Sequence, residues 1–248
     1  MKKNNDSSSK SKMSFWSHLE DFRKTLLYIF GTIFLCSLVS YYFIDDIILY
    51  LQSPLLDKIS DTQKIVFTGF FEKIWVYFKV VIISGACLAL PFILYFLGKF
   101  IFPGLKKAEK SVLFFSLLLI FIFFLTGVIF GYFIFLPIII DLILNFGAGS
   151  ETPMITVSSY INSSLGILVA CGVLLLIPLI MVIITNFKLI DVTVWRKNRK
   201  YAFIVNALVS AFLSPPDVVS MFYILLPMQI LYELGIIMCL ILTKVKKT

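Results

Sequence analysis

Long apolar runs separated by short polar connections dominate the chain, and the lengths of those runs predict membrane-crossing helices. A helix needs roughly 20 apolar residues to cross a hydrocarbon core about 30 Å thick. Such runs extend from about Thr25 to Ile44, Ile74 to Leu97, Val112 to Leu136 and Ile155 to Thr185. A last stretch begins at Tyr201 and is interrupted by Ser214-Pro215-Pro216-Asp217. A Pro-Pro pair cannot continue a helix, so this stretch divides into a fifth and a sixth span joined as a short hairpin. Tyr201–Leu213 amounts to roughly 20 Å of helix, less than the hydrocarbon core requires. The expected fold class is therefore all-α: a polytopic membrane protein with six transmembrane helices, the last two short. Ser164, Gly166 and Gly172 in the fourth span, with Gly127 and Gly131 in the third, permit close helix contacts. Phe123, Phe124 and Phe130 are expected to face lipid, and Lys73 and Lys79 to snorkel at the headgroups beside Trp75 and Tyr77.

Composition supports burial in lipid. The chain is 60% hydrophobic and 15% charged, whereas a soluble domain is nearer half apolar and about a quarter charged. A net charge of +8 raises the question of nucleic acid, but the basic residues fall in short clusters between apolar runs. That placement is a topology signal and argues against a nucleic-acid partner. Lys2, Lys3, Lys10, Lys12, Arg23 and Lys24 precede the first span, and Lys99, Lys106, Lys107 and Lys110 follow the second. Lys188, Arg196, Lys197, Arg199 and Lys200 follow the fourth, and Lys244, Lys246 and Lys247 close the chain. All but four of the 22 basic residues thus lie on one side. The positive-inside rule then sets both termini in the cytoplasm. The expected organisation is a cytoplasmic N-terminal segment over residues 1–24, a six-helix transmembrane domain over 25–242 and a cytoplasmic tail over 243–248.

No catalytic constellation accompanies this pattern. Cys36, Cys87, Cys171 and Cys239 lie singly within apolar runs, with no CxxC pair, and read as small hydrophobes. His18 is the sole histidine, so neither a histidine metal site nor a Ser-His triad is expected. Nucleotide-binding and hydrolase signatures are absent, and no cofactor is expected. No short apolar region with a small-residue cleavage site follows the polar start, so no cleaved signal is expected.

Three polar features remain. The first is Ser17-His18-Leu19-Glu20-Asp21-Phe22-Arg23-Lys24, leading into the first span. The second is Phe102-Pro103-Gly104-Leu105-Lys106-Lys107-Ala108-Glu109-Lys110, after the second span. The third is Ser214-Pro215-Pro216-Asp217 with Pro227 and Glu233 beyond it. Together they resemble the TatC family, the multispanning subunit of the twin-arginine protein translocase. That family's His-Leu-x-Glu-Leu-Arg stands here as His18 to Arg23, its acid falling on Asp21 and its variable position on Glu20. Pro103-Gly104-Leu105 with Glu109 matches the internal-loop motif, and Thr68 with Glu72 matches Thr-x-x-x-Glu. Pro91 and Tyr95 match in the second span, as do Gly131-Tyr132-Phe133 and Pro137 in the third. Phe96, Leu176 and Met221 stand where the family usually has Gln, Glu and Gln.

The resemblance implies a receptor that binds Arg-Arg signal peptides of folded precursors through Asp21, Arg23, Glu109, Leu105 and Pro103. A carboxylate suits that task, because the planar guanidinium fork matches it bidentately. The same two carboxylates also suit plain neutralisation of Arg23, Lys24, Lys107 and Lys110 on a solvated face. Glu233, Asp217, Pro215, Pro216, Glu72 and Thr68 are implied in transport or assembly. Glu233 stands about midway along the last span, where an ionisable group marks a functional site or a protonated hydrogen-bonding one. Asp217 also suits a helix cap. Implied partners are TatA-like and TatB-like single-span proteins, twin-arginine precursors, further copies of the chain and the lipid bilayer, with export driven by the proton gradient. The membrane implied first is the bacterial inner membrane, with thylakoid and mitochondrial inner membranes also fitting. A secondary transporter of a small solute would predict an internal repeat and a polar midplane site, of which only Glu233 is found. A membrane assembly scaffold is the third class the pattern permits.

Overall fold

The computed structural model of the chain describes residues 6–59, 65–102, 107–145, 155–213 and 218–245. Regular structure among them is helical: α1 (Asp6–Tyr42), α2 (Ile44–Leu56), α3 (Glu72–Ile101), α4 (Lys107–Phe130), α5 (Leu136–Asn145), α6 (Val157–Leu174), α7 (Leu176–Asn186), α8 (Val192–Lys197), α9 (Arg199–Leu213) and α10 (Val218–Val245). A π-helical segment, Gly131–Phe135, joins α4 to α5, and one isolated bridge pairs Val66 with Thr156. Among the described residues, five stretches are long and apolar enough to cross a membrane: His18–Tyr42, Glu72–Ile101, Leu113–Leu144, Val157–Asn186 and Met221–Thr243.

The fifth expected span, α9, has 15 residues, about 22 Å at the usual rise, and stays short of a full crossing. Its neighbour does not share that property. The expectation of two short final helices is corrected here, because α10 continues for 28 residues. Pro227 lies inside it without ending it; one missing N–H and a local adjustment leave the flanking turns intact, a tolerance common in membrane helices.

Elsewhere prolines decide where helices change course. Pro178 cannot donate to Leu174, and the fourth apolar run breaks there into α6 and α7, with Leu175 between them. Pro137 cannot donate to Phe133, which lies within the π-helical segment. Pro54 leaves the Tyr50 carbonyl without its helical donor, and the Tyr132 hydroxyl donates to that oxygen at 2.7 Å. The first polar connection, read from sequence as a loop, thus contains a helix, α2. Its buried stripe of Ile48, Leu51 and Leu55 follows helical spacing, and the Tyr160 hydroxyl donates to the Leu51 carbonyl at 2.8 Å.

Contacts group the chain into two compact units, residues 1–44 with 77–118 and residues 45–76 with 119–248. In the first, α1 and α3 approach closely at Gly85, where an added Cβ would lie 2.7 Å from the Ser37 Cα. Ring contacts continue the seam: Tyr28 stacks on Phe96 at 5.4 Å, and His18 stacks on Phe100 at 4.5 Å. The second unit has two buried clusters. One joins Phe135, Ile139, Cys171, Ile224 and Met228; the other joins Met181, Val192, Tyr232, Ile236 and Cys239. Gly127 permits the α4–α6 crossing, since a Cβ there would meet the Cys171 carbonyl oxygen at 2.5 Å and Gly172 Cα at 2.7 Å. The Phe124 ring fills the notch left by Gly172 and is buried, which corrects its expected lipid exposure. Phe130 likewise packs against the first cluster. Two of the four cysteines, Cys171 and Cys239, are core residues, and all four are free thiols.

Candidate functional site

The lead-in to the first span is the start of a continuous helix. His18 and Phe22, one turn apart, both meet Phe100, at 4.5 and 5.6 Å. That contact fixes the helix face turned toward α3. At 100° per residue, Asp21 flanks this face, whereas Glu20 and Arg23 point away from it. Glu20 is engaged with Lys24 at 2.9 Å, one turn along the exposed surface. Among the described residues Asp21 joins none of the ion pairs, and its side chain is exposed, as is that of Arg23. The two adjacent acids thus have different surroundings: one carries a local partner, the other is available. Glu109 lies in the first turn of α4, with its side chain outside the described residues. Pro103, Leu105, Pro215, Pro216 and Asp217 also lie outside them.

Glu233 is paired. Its Oε2 accepts from the Arg199 Nη2 at 2.7 Å, and the two side chains remain 37% and 50% exposed. Arg199 is the first residue of α9, so Glu233 lies level with the start of that helix, and half of α10 extends on either side. Further along the hairpin, Asn206 Nδ2 donates to Gln229 Oε1 at 3.2 Å. The short α8 supports the start of α9. The Tyr232 hydroxyl donates to the Trp195 carbonyl at 2.8 Å, and the Trp195 indole N–H donates to Thr185 Oγ1 at 3.1 Å. The sequence pattern places Arg199 among topology charges and gives no role to Trp195 or Thr185. A usable signal existed for the ion pair: Arg199 and Glu233 stand at nearly equal distances from Pro215-Pro216.

Thr68 and Glu72 come together, but for a local purpose. One carboxylate oxygen of Glu72 accepts from the Thr68 N–H at 2.6 Å, the Gly69 N–H at 2.8 Å and the Thr68 hydroxyl at 3.1 Å. The Ser158 N–H, in the first turn of α6, is also directed at this carboxylate. Thr156 caps the same helix through Ser159 N–H. Thr-x-x-x-Glu is here a turn-and-cap device.

Lys58, just after α2, meets Asp141 of α5 at 2.5 Å, and Lys58 also donates to the Pro137 carbonyl at 2.8 Å. With Tyr132 and Tyr160, this pair ties α2 and its trailing turn to the helices beneath it. At the positions that depart from the family pattern, Phe96 stacks on Tyr28, and Leu176 and Met221 are half-buried.

The comparisons agree with this architecture. A family profile described as Sec-independent protein translocase protein (TatC) matches residues 17–227. The Sec-independent protein translocase protein TatC of Desulforapulum autotrophicum is 32% identical over 226 residues, covering 91% of this chain and 84% of the relative. That of Carboxydothermus hydrogenoformans is 33% identical over 226 residues, covering 90% and 91%. A crystal structure of the twin-arginine translocase receptor TatC superposes with a TM-score of 0.79 at 26% identity, covering 91% of this chain and 99% of that one. The chain therefore belongs to the TatC family, as a multi-pass integral protein of the bacterial inner membrane and a transport subunit, not an enzyme, of the Sec-independent protein translocase.

Proposed function

We propose that the chain binds Arg-Arg signal peptides through Asp21 and Glu109 on its cytoplasmic face and recruits TatA-like and TatB-like single-span partners. Arg23, Pro103 and Leu105 complete the signal site in this reading. The observation that carries it is the contrast between the two neighbouring acids. Glu20 is engaged by Lys24, whereas Asp21 is exposed beside an aromatic seam, without an ion-pair partner among the described residues. An exposed carboxylate with no ion-pair partner of its own can take the planar guanidinium fork bidentately. Both termini are cytoplasmic in this reading, and α9 forms the short fifth crossing. Glu233 serves transport or assembly as half of an ion pair, which leaves Arg199 as the group a competing carboxylate would engage. Asp217, Pro215 and Pro216 are assigned to transport or assembly in the same reading, and precursor export draws on the proton gradient.

Crosslinking of a twin-arginine peptide to the full chain in membranes tests the signal site. Asp21→Ala and Glu109→Ala should each reduce the yield several-fold, and Glu20→Ala should leave it unchanged. Equal yields from all three variants would sink the assignment. Restoring export of a twin-arginine reporter in a translocase-deficient cell separates this reading from a solute transporter or a scaffold.

A further inference from the structure

The turn that precedes α3 carries the most exposed large apolar side chain among the described residues. Phe70 is 93% exposed, Phe71 is 62% exposed, and the two rings meet edge-on at 5.0 Å. Ile74 and Trp75 follow in the first turn of α3, both more than half exposed. Loose termini and flexible loops often expose single apolar residues without consequence. This turn is neither. The Glu72 carboxylate binds the N–H groups of Thr68 and Gly69, and Val157 N–H donates to the Val66 carbonyl at 3.1 Å. Held at both ends, the turn keeps its two aromatic rings outward and cannot fold them back into the core.

We propose that Phe70 and Phe71 form an aromatic anchor that seats this turn in the headgroup-to-acyl boundary of the lipid leaflet where α3 begins. Three observations identify lipid as the occupant. The rings are continuous with a helix long and apolar enough to cross the bilayer, beginning one residue after Phe71. Trp75 and Lys73 accompany them, the residue types that occupy the membrane interface. An exposed apolar cluster of this kind is also costly in water, and its fixed geometry gives it a defined depth. Thr68 and Glu72 act as positioning residues, since the carboxylate holds the backbone that aims the rings. Their part in transport is then exerted through the depth and angle of the α3 entrance.

The test uses the full chain reconstituted in phosphatidylcholine–phosphatidylglycerol vesicles, with Phe70→Trp and Phe71→Trp as separate probes against the parent chain. The added indole should emit at shorter wavelength than in water. It should lose most of its emission to lipids brominated near the headgroup and little to lipids brominated deep in the chain, and aqueous iodide should leave it nearly untouched. Adding Glu72→Gln should shift the emission toward the red and admit iodide while the thermal midpoint of the chain stays close to that of the parent. An indole quenched by iodide but not by brominated lipid would overturn the anchor in favour of a solvated turn. An indole shielded from both would overturn it in favour of a protein partner, whether a second copy or a single-span subunit. If one probe fails to assemble, the other reads the same outcomes.

Discussion

The family resemblance implies Glu72 and Glu233 together in transport or assembly, yet the structure gives them opposite surroundings. Glu72 is satisfied by neutral donors within four residues, Thr68 and Gly69, with help from the start of α6. Glu233 is satisfied by a full charge from another helix, 34 residues away in the chain. The first carboxylate shapes a turn and would do so wherever that turn was placed. The second depends on the α9–α10 hairpin closing in one register, so it reports on tertiary structure. An acid at a membrane position is thus no uniform signal of chemistry. What it means depends on whether its partner is a backbone amide or a mobile cation that something else can claim.

The sharpest way to break this comparison is to remove Arg199. Arg199→Ala leaves Glu233 unpaired in a spanning helix and should cost about 2 kcal/mol, between a surface pair near 1 and a lone charge at bilayer centre near 3. The double variant with Glu233→Ala should recover most of that loss, which a double-mutant cycle of thermal unfolding in detergent would measure. Glu233→Ala alone should impair reporter export more than signal-peptide crosslinking. Next in size is Glu72→Ala, whose effect should be local. Amide exchange should accelerate at Thr68, Gly69 and Ser158 while the α9–α10 hairpin keeps its protection, as hydrogen-exchange mass spectrometry would show. Gln229→Leu removes a neutral contact to Asn206 and should cost about 0.6 kcal/mol, typical of an interhelical hydrogen bond in a membrane. Thr68→Val should have the smallest effect, because it deletes only the hydroxyl contact and keeps the N–H bond to Glu72.

The all-helical fold was legible because the bilayer imposes one strong requirement, a long apolar run, and the four full-length runs read from the sequence reappear among the five spanning stretches of the described residues. The short α9 was legible for the same reason, since Pro215-Pro216 and the basic cluster at Arg196 to Lys200 bracket it. The two arms of the last hairpin were legible as unequal, but α10 was still expected to be short, whereas it runs for 28 residues. Phe124 was misjudged because a phenylalanine in a membrane helix looks the same whether it meets lipid or a neighbouring Gly172. α2 was missed because its apolar stripe of Ile48, Leu51 and Leu55 is too short for a span, and its partners Tyr132 and Tyr160 lie about 80 and 110 residues on.

By itself the sequence determined where helices cross lipid, where prolines stop or deflect them, and that the two acids at the entrance of α1 are adjacent. Those features depend on residues within a turn or a span of one another. Only the tertiary structure decided that Glu233 has Arg199 for a partner, that Lys58 meets Asp141, and that Phe124 fills the notch beside Gly172. Each of these is set by a few ångströms of approach between side chains, a distance that charge and hydropathy patterns along the chain do not encode.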